Sequence, residues 1–164
     1  MLAPAKGRHV IGLDMIRLFA FMVPAGLLLG ALGSQFIGGL HPCEMCIWQR
    51  WPHAIATGIA LIAMLLHARP ELSRKLTLLA AVFIGVSGLI GAFHAGVEQD
   101  WWDGLTTCSS GSVGSMDDLM NAALVRCDEI PWSWLGISLA GWNAIVSLGA
   151  SALILFFGTR KVTA

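Results

Sequence analysis

Four apolar runs, at about residues 16–36, 47–67, 76–94 and 135–157, constrain this chain more than any other feature. Each is close to the ~20 residues that a helix needs to cross the hydrocarbon core of a bilayer. Composition agrees: 56% of the residues are hydrophobic, mean hydropathy is +0.73 and 12% are charged, about half the ~25% charge of a soluble domain. The pattern predicts an all-α integral membrane protein, a four-transmembrane-helix bundle forming a single domain over residues 1–164, with the lipid bilayer as a partner. There is no basic tract, so no nucleic acid is expected as a partner.

The first run follows Lys6 and Arg8 and ends near Ala31-Leu32-Gly33, features shared with a cleaved signal peptide. It is longer than the about 7–15 apolar residues of such a peptide, so it is read as a retained first span. Arg17 is expected to snorkel to the near interface, and Pro24 to be a candidate kink. Gly38-Gly39-Leu40-His41-Pro42 makes a turn into the second run, where Pro52 predicts an irregular start. A polar connection from His67 to Lys75 leads to the third run, whose Gly85, Ser87, Gly88 and Gly91 suit close helix packing. Trp101 and Trp102 near the end of the third run, and Trp132, Trp134 and Trp142 near the start of the fourth, fall where an interfacial aromatic belt would place them.

Charge sets the orientation. Lys6, Arg8, Arg17, Arg69, Arg74, Lys75, Arg160 and Lys161 fall at the N-terminus, the second connection or the C-terminus, and only Arg50 and Arg126 lie elsewhere. Four spans put those three positions on one side, which the positive-inside rule makes cytoplasmic. Both termini are then cytoplasmic, and the loops at about 37–46 and 95–134 face outward, to the periplasm in a bacterium. The second of these loops carries Glu98, Asp100, Asp103, Asp117, Asp118, Asp128 and Glu129 against Arg126 alone. Within it Ser115 and Asp118 suit a capping box, and Met116, Leu119, Met120, Ala123 and Leu124 form a stripe. A short amphipathic helix is expected there, lying on the membrane, docked on the spans, or simply presenting an ordinary core-facing side.

All four cysteines fall on the outer side, where disulfides persist. Cys43 and Cys46 stand at the outer end of the second run, where a helix N-terminus would favour a thiolate and an ionised Glu44 would oppose it. Three readings are open for this pair: a redox-active dithiol, a static disulfide, or half of a four-Cys metal site, the last weakened because Cys108 and Cys127 lack short ligand spacing. Eighteen residues separate Cys108 from Cys127 in a Gly/Ser-rich loop, and in an oxidising compartment the two are expected to pair. That disulfide is either a loop staple or a target for another protein's thiolate. A helical second run puts Arg50 at i+4 from Cys46, facing a thiolate or an acceptor that becomes anionic. His94 and Glu98, also at i and i+4, either assist proton transfer, line a ligand site, or form an interfacial pair without chemistry. His53, one turn beyond Arg50, is a weaker candidate.

The chain resembles the disulfide bond formation protein B (DsbB) family. The resemblance rests on Pro42-Cys43-Glu44-Met45-Cys46-Ile47-Trp48-Gln49-Arg50, His94-Ala95-Gly96-Val97-Glu98, Cys127-Asp128-Glu129-Ile130-Pro131-Trp132 and Leu139-Ala140-Gly141-Trp142-Asn143. It implies a thiol oxidase of the bacterial inner membrane that takes electrons from a periplasmic thioredoxin-like partner of the DsbA type and passes them to a membrane quinone, ubiquinone rather than menaquinone. It further implies disulfides Cys43–Cys46 and Cys108–Cys127 and catalytic roles for all four cysteines. Cys108 would be attacked by the partner, Cys127 would attack Cys43, and Cys46 would face the quinone beside Arg50, His94 and Glu98. No resident metal is expected. The acidic Glu44-Met45 between the paired cysteines departs from the apolar residues of the best-known members and leaves the partner less defined than the quinone chemistry.

Three other readings compete. A vitamin K epoxide reductase-like oxidoreductase would carry its Cys-x-x-Cys near the last core span, whereas here it opens the second. A non-enzymatic membrane scaffold would use its disulfides only as staples. A metal-binding membrane protein would hold zinc or iron through the reduced cysteines.

Overall fold

The computed structural model describes residues 6–104 and 126–159, with side chains from residue 12 onward. Four helices account for most of them: α1 (Lys6–Phe36), α2 (Glu44–Leu65), α3 (Pro70–Glu98) and α4 (Leu139–Thr159). Two two-residue strands, β1 (Ser133–Trp134) and β2 (Ile137–Ser138), pair antiparallel just before α4. Among the described residues the fold is therefore all-helical apart from this hairpin. Cys108 and the expected amphipathic helix near residues 115–124 lie outside the described residues.

The helices outrun the apolar runs at several ends. α1 begins at Lys6, not near residue 16, and continues through Pro24. α3 begins at Pro70, whose ring preorganises the first helical turn, so Arg74 and Lys75 belong to the helix and not to the connection. The fourth helix starts at Leu139, not 135, because Leu135 and Gly136 both take positive φ (53° and 76°). Two such residues make a two-residue hairpin turn of the type whose twist matches the flanking strands. Apolarity marks what lies in lipid or core, whereas caps and turns decide where a helix ends.

Among the described residues α1 (from Gly12), α3 and α4 are long and apolar enough to cross a membrane. α2 falls outside that set because its first half carries Gln49, Arg50 and His53. These polar side chains turn inward, as the site below shows. α3 packs along both α4 and α2, and α1 packs chiefly on α2. The seams are made of small residues: Ala20, Ala56, Ala60, Ala80, Ala81 and Ala150 are buried with Ile84 and Ile154. Leu29, Leu65, Leu89 and Phe157 point outward. Small residues inside and large apolar residues outside is the arrangement expected where lipid is the solvent, since helices there associate by close packing. One close approach is at Gly88 of α3, where a Cβ would lie 2.9 Å from Leu148 Cγ and 3.0 Å from its backbone N.

One expectation is corrected. Arg17 does not snorkel outward; it is buried and ion-paired with Asp14 at 2.5 Å, one turn back on the same helix. The Asp14 carboxylate, itself half exposed, offers a charge-assisted bond to the buried guanidinium. At the other end of the bundle Trp101, Trp102, Trp132 and Trp134 are exposed, and Trp102 stacks on Phe93 while Trp134 packs on Trp142.

Candidate functional site

Cys43 is the N-cap of α2. Its extended backbone (φ −73°, ψ 172°) leads the chain into the helix, and its Sγ accepts the backbone N–H of Cys46 at 3.2 Å. A sulfur here satisfies one of the unpaired donors at a helix start, the place usually taken by Ser or Asp. The same geometry brings the Sγ atoms of Cys43 and Cys46 to 2.8 Å, both as thiols. The Cys43 thiol is held above the usual thiol range, first by its hydrogen bond to Cys46 and then by burial. Cys43 donates to Cys46, so Cys46 is the accepting sulfur of the pair.

Helical spacing then lays Cys46, Gln49, Arg50 and His53 along one face of α2, and all four line a cavity of about 390 Å³. That volume lies in the range of small-molecule sites, about 300–1,000 Å³. Gly26, Gly30 and Ala31 of α1 form the opposite wall, and nothing packs within 4 Å of the position a Cβ would take at either glycine. Arg50 reaches across to α1, donating to Gln35 Oε1 at 2.5 Å and to Ala31 O at 3.1 Å. Its guanidinium is thereby fixed on the cavity wall.

α3 supplies His94 and Glu98, both buried, with Nε2 and Oε1 3.9 Å apart. His94 Nε2 lies 3.6 Å from Cys43 Sγ and 3.2 Å from the backbone oxygen of Cys127. Glu98 accepts a hydrogen bond from Ser138 Oγ of β2, which also caps the N–H of Gly141 at 3.1 Å. Cys127 sits in one buried cluster with Cys43, Met45 and Val97. At the mouth, Arg126 donates to Asp128 through Nε and Nη2 at 3.0 and 2.5 Å. The hydrogen bond from the guanidinium lowers the Asp128 pKa, and the carboxylate in turn raises that of Arg126.

Of the residues singled out from sequence, Cys43, Cys46, Arg50, His94 and Glu98 line one cavity, and Cys127 packs beside Cys43. Cys108 and its bond to Cys127 lie outside the described residues. The sequence assigned no polar role to Gln49, Ser87, Asn143 and Ser147, which form a buried polar core between α2, α3 and α4. The available signal was their position: polar residues inside apolar runs face the bundle interior. The donor atoms of Cys43, Cys46 and His94 also lie within 4.8 Å of one another.

The family model described as disulfide bond formation protein DsbB matches residues 14–157. The chain belongs to the DsbB family. Relatives named disulfide bond formation protein B include one from Saccharophagus degradans, 30% identical over 88% of this chain and 92% of the relative. Another from Xanthomonas oryzae pv. oryzae is 31% identical over 88% and 90%, and one from Hahella chejuensis is 26% identical over 89% and 93%. No solved structure matches. Membership of the DsbB family, with membrane-length helices and a close pair of cysteines, makes the chain a membrane disulfide oxidoreductase.

Proposed function

We propose that this DsbB-family protein reoxidises a periplasmic thioredoxin-like disulfide donor of the DsbA type and passes the electrons through two cysteine pairs to a membrane quinone. The observation that carries this reading is the placement of Cys46 and Arg50 on the wall of one ligand-sized cavity, with Cys127 packed against Cys43 behind it. In this reading α2 is the fourth crossing, both termini are cytoplasmic in the bacterial inner membrane, and the cysteines open to the periplasm. The excess of Lys and Arg at the opposite end supports that orientation.

The exchange balances as three two-electron steps. A thiolate of the reduced partner attacks Cys108 of the Cys108–Cys127 disulfide, and its second thiol resolves the mixed disulfide, leaving the partner oxidised. Cys127 then attacks Cys43, the Cys43–Cys46 bond breaks, and Cys46 leaves as a thiolate. Cys108 closes back on Cys127 and releases Cys43 as a thiol. A quinone, when bound, accepts two electrons and two protons and leaves as the quinol while the Cys43–Cys46 disulfide reforms. The cavity fits such a ring: its α1 wall is lined by glycine, and Arg50 offers a fixed cation to an oxygen that gains charge. His94 and Glu98 complete the polar side of the cavity. Ubiquinone is the acceptor to test first.

The direct test uses a Cys108→Ser/Cys127→Ser protein, which keeps only Cys43 and Cys46. Reduced and freed of reductant, it should consume one ubiquinone analogue per dithiol, read from the oxidised quinone absorbance. An unchanged band with ubiquinone and menaquinone analogues alike would defeat the quinone assignment.

A further inference from the structure

Between His53 and His94 of the cavity runs a chain of hydrogen bonds with one direction, and three backbone carbonyls fix it. A carbonyl oxygen can only accept, so any side-chain nitrogen facing one must carry a hydrogen. Asn143 Nδ2 lies 3.3 Å from Ser87 O, which marks that end of the amide as the NH2 and the other as oxygen. Its Oδ1 then accepts from Ser147 Oγ and from His53 Nε2, both at 2.8 Å. Its Nδ2 donates to Gln49 Oε1 at 2.8 Å. Gln49 Nε2 is 3.1 Å from Met45 O, so that end too is the NH2. The same nitrogen lies 2.9 Å from His94 Nδ1, which must therefore be the bare acceptor. A neutral His94 then carries its proton on Nε2, and Nε2 faces the third carbonyl, that of Cys127, at 3.2 Å. Reading from one end, His53 donates to Asn143, Asn143 to Gln49, Gln49 to His94, and His94 to the Cys127 backbone with Cys43 Sγ alongside at 3.6 Å.

We propose that Gln49 and Asn143 are positioning residues that lock His94 as the Nε2–H tautomer, so that its N–H clamps the Cys127 backbone beside Cys43. The clamp matters because thiol–disulfide exchange needs the attacking sulfur held in line, and a fixed geometry replaces a search by a flexible segment. The same lock gives the Cys43, Cys46 and His94 trio a hydrogen where a metal would need a lone pair, so binding zinc there would require reversing the tautomer and breaking the Gln49 bond. The role in exchange rests on the relay proposed above; the lock itself does not.

Ring nitrogens of 15N-histidine-labelled protein report protonation one by one, and His94→Asn identifies the His94 signals by difference. The unsubstituted protein should show His94 Nε2 protonated and Nδ1 bare; a protonated Nδ1 overturns the lock. Gln49→Met keeps the side-chain length and removes the donor, and should turn the His94 signature into a mixture of tautomers. In that variant the internal step, followed by acid quench and alkylation of the newly freed Cys46, should slow roughly three- to tenfold, the worth of one hydrogen bond. A mixed tautomer with an unchanged internal rate overturns the positioning role. No internal exchange in the unsubstituted protein sinks the relay instead, while the ring signature still decides the lock.

Discussion

His94 Nε2 stands 3.6 Å from Cys43 Sγ, although 51 positions separate the two residues in sequence. The contact joins the outer end of α3 to the N-cap of α2, and the backbone of Cys127 closes on the same nitrogen. Three distant parts of the chain thus meet at one imidazole.

Cys43 and Cys46 both line the cavity, and Cys46 accepts the hydrogen bond between them. Cys46→Ser should abolish quinone reduction while Cys108 still forms a mixed disulfide with a reduced thioredoxin-like partner, detected on a non-reducing gel. Retained quinone reduction would remove Cys46 from that role.

Arg50 is fixed by Gln35 and Ala31 and carries the charge on the cavity wall of α2. Arg50→Ala should weaken apparent quinone affinity roughly ten- to a hundredfold, the worth of about 1.5–3 kcal/mol for a hydrogen bond to a charged group. Partner binding should change far less. Arg50→Lys should recover only part of the loss, since an ammonium cannot reproduce the two-armed bond to α1. Steady-state titration of a quinone analogue against each variant separates these outcomes.

Gly88 has no room for a methyl group against Leu148 and Ser147. Gly88→Ala should lower stability by about 1–3 kcal/mol through overpacking of the α3–α4 seam. A thermal melt in detergent should show the fall, whereas Gly149→Ala, where nothing lies within 4 Å, should leave the midpoint nearly unchanged.

Asp128 is a depressed carboxylate, its pKa lowered by the hydrogen bond from Arg126. A depressed acid stabilises the fold above its unfolded value, near 3.8, and that contribution disappears as pH falls through the lower folded value. The pair is open to solvent, so the effect is small. Asp128→Asn should therefore lower the melting midpoint slightly at neutral pH, and the two proteins should converge in strong acid. A constant difference across the titration would separate Asp128 from this pairing.

The apolar runs of α1, α3 and α4 announced the membrane helices because lipid demands long apolar stretches, and Cys46 to Arg50 announced a shared face because helical spacing is local. The ends were not legible in the same way. The helix before residue 16 runs through polar residues, and the hairpin at Leu135–Gly136 depends on a backbone turn, neither of which hydropathy registers. Gln49 and Asn143 stayed hidden because each looks like an isolated polar residue until folding brings α2 and α4 to within 2.8 Å. Arg17 was misplaced for a related reason: a basic residue near a membrane end usually reaches outward, but Asp14 one turn away holds it inside.

In the proposed relay, electrons entering at Cys108 leave through Cys46. The most direct measurement mixes the purified protein with a reduced thioredoxin-like partner and a ubiquinone analogue, and follows oxidised quinone absorbance. Catalytic loss of the band is expected, ended by serine at any one of Cys43, Cys46, Cys108 or Cys127. A band that persists while all four cysteines remain as intact disulfides would contradict it.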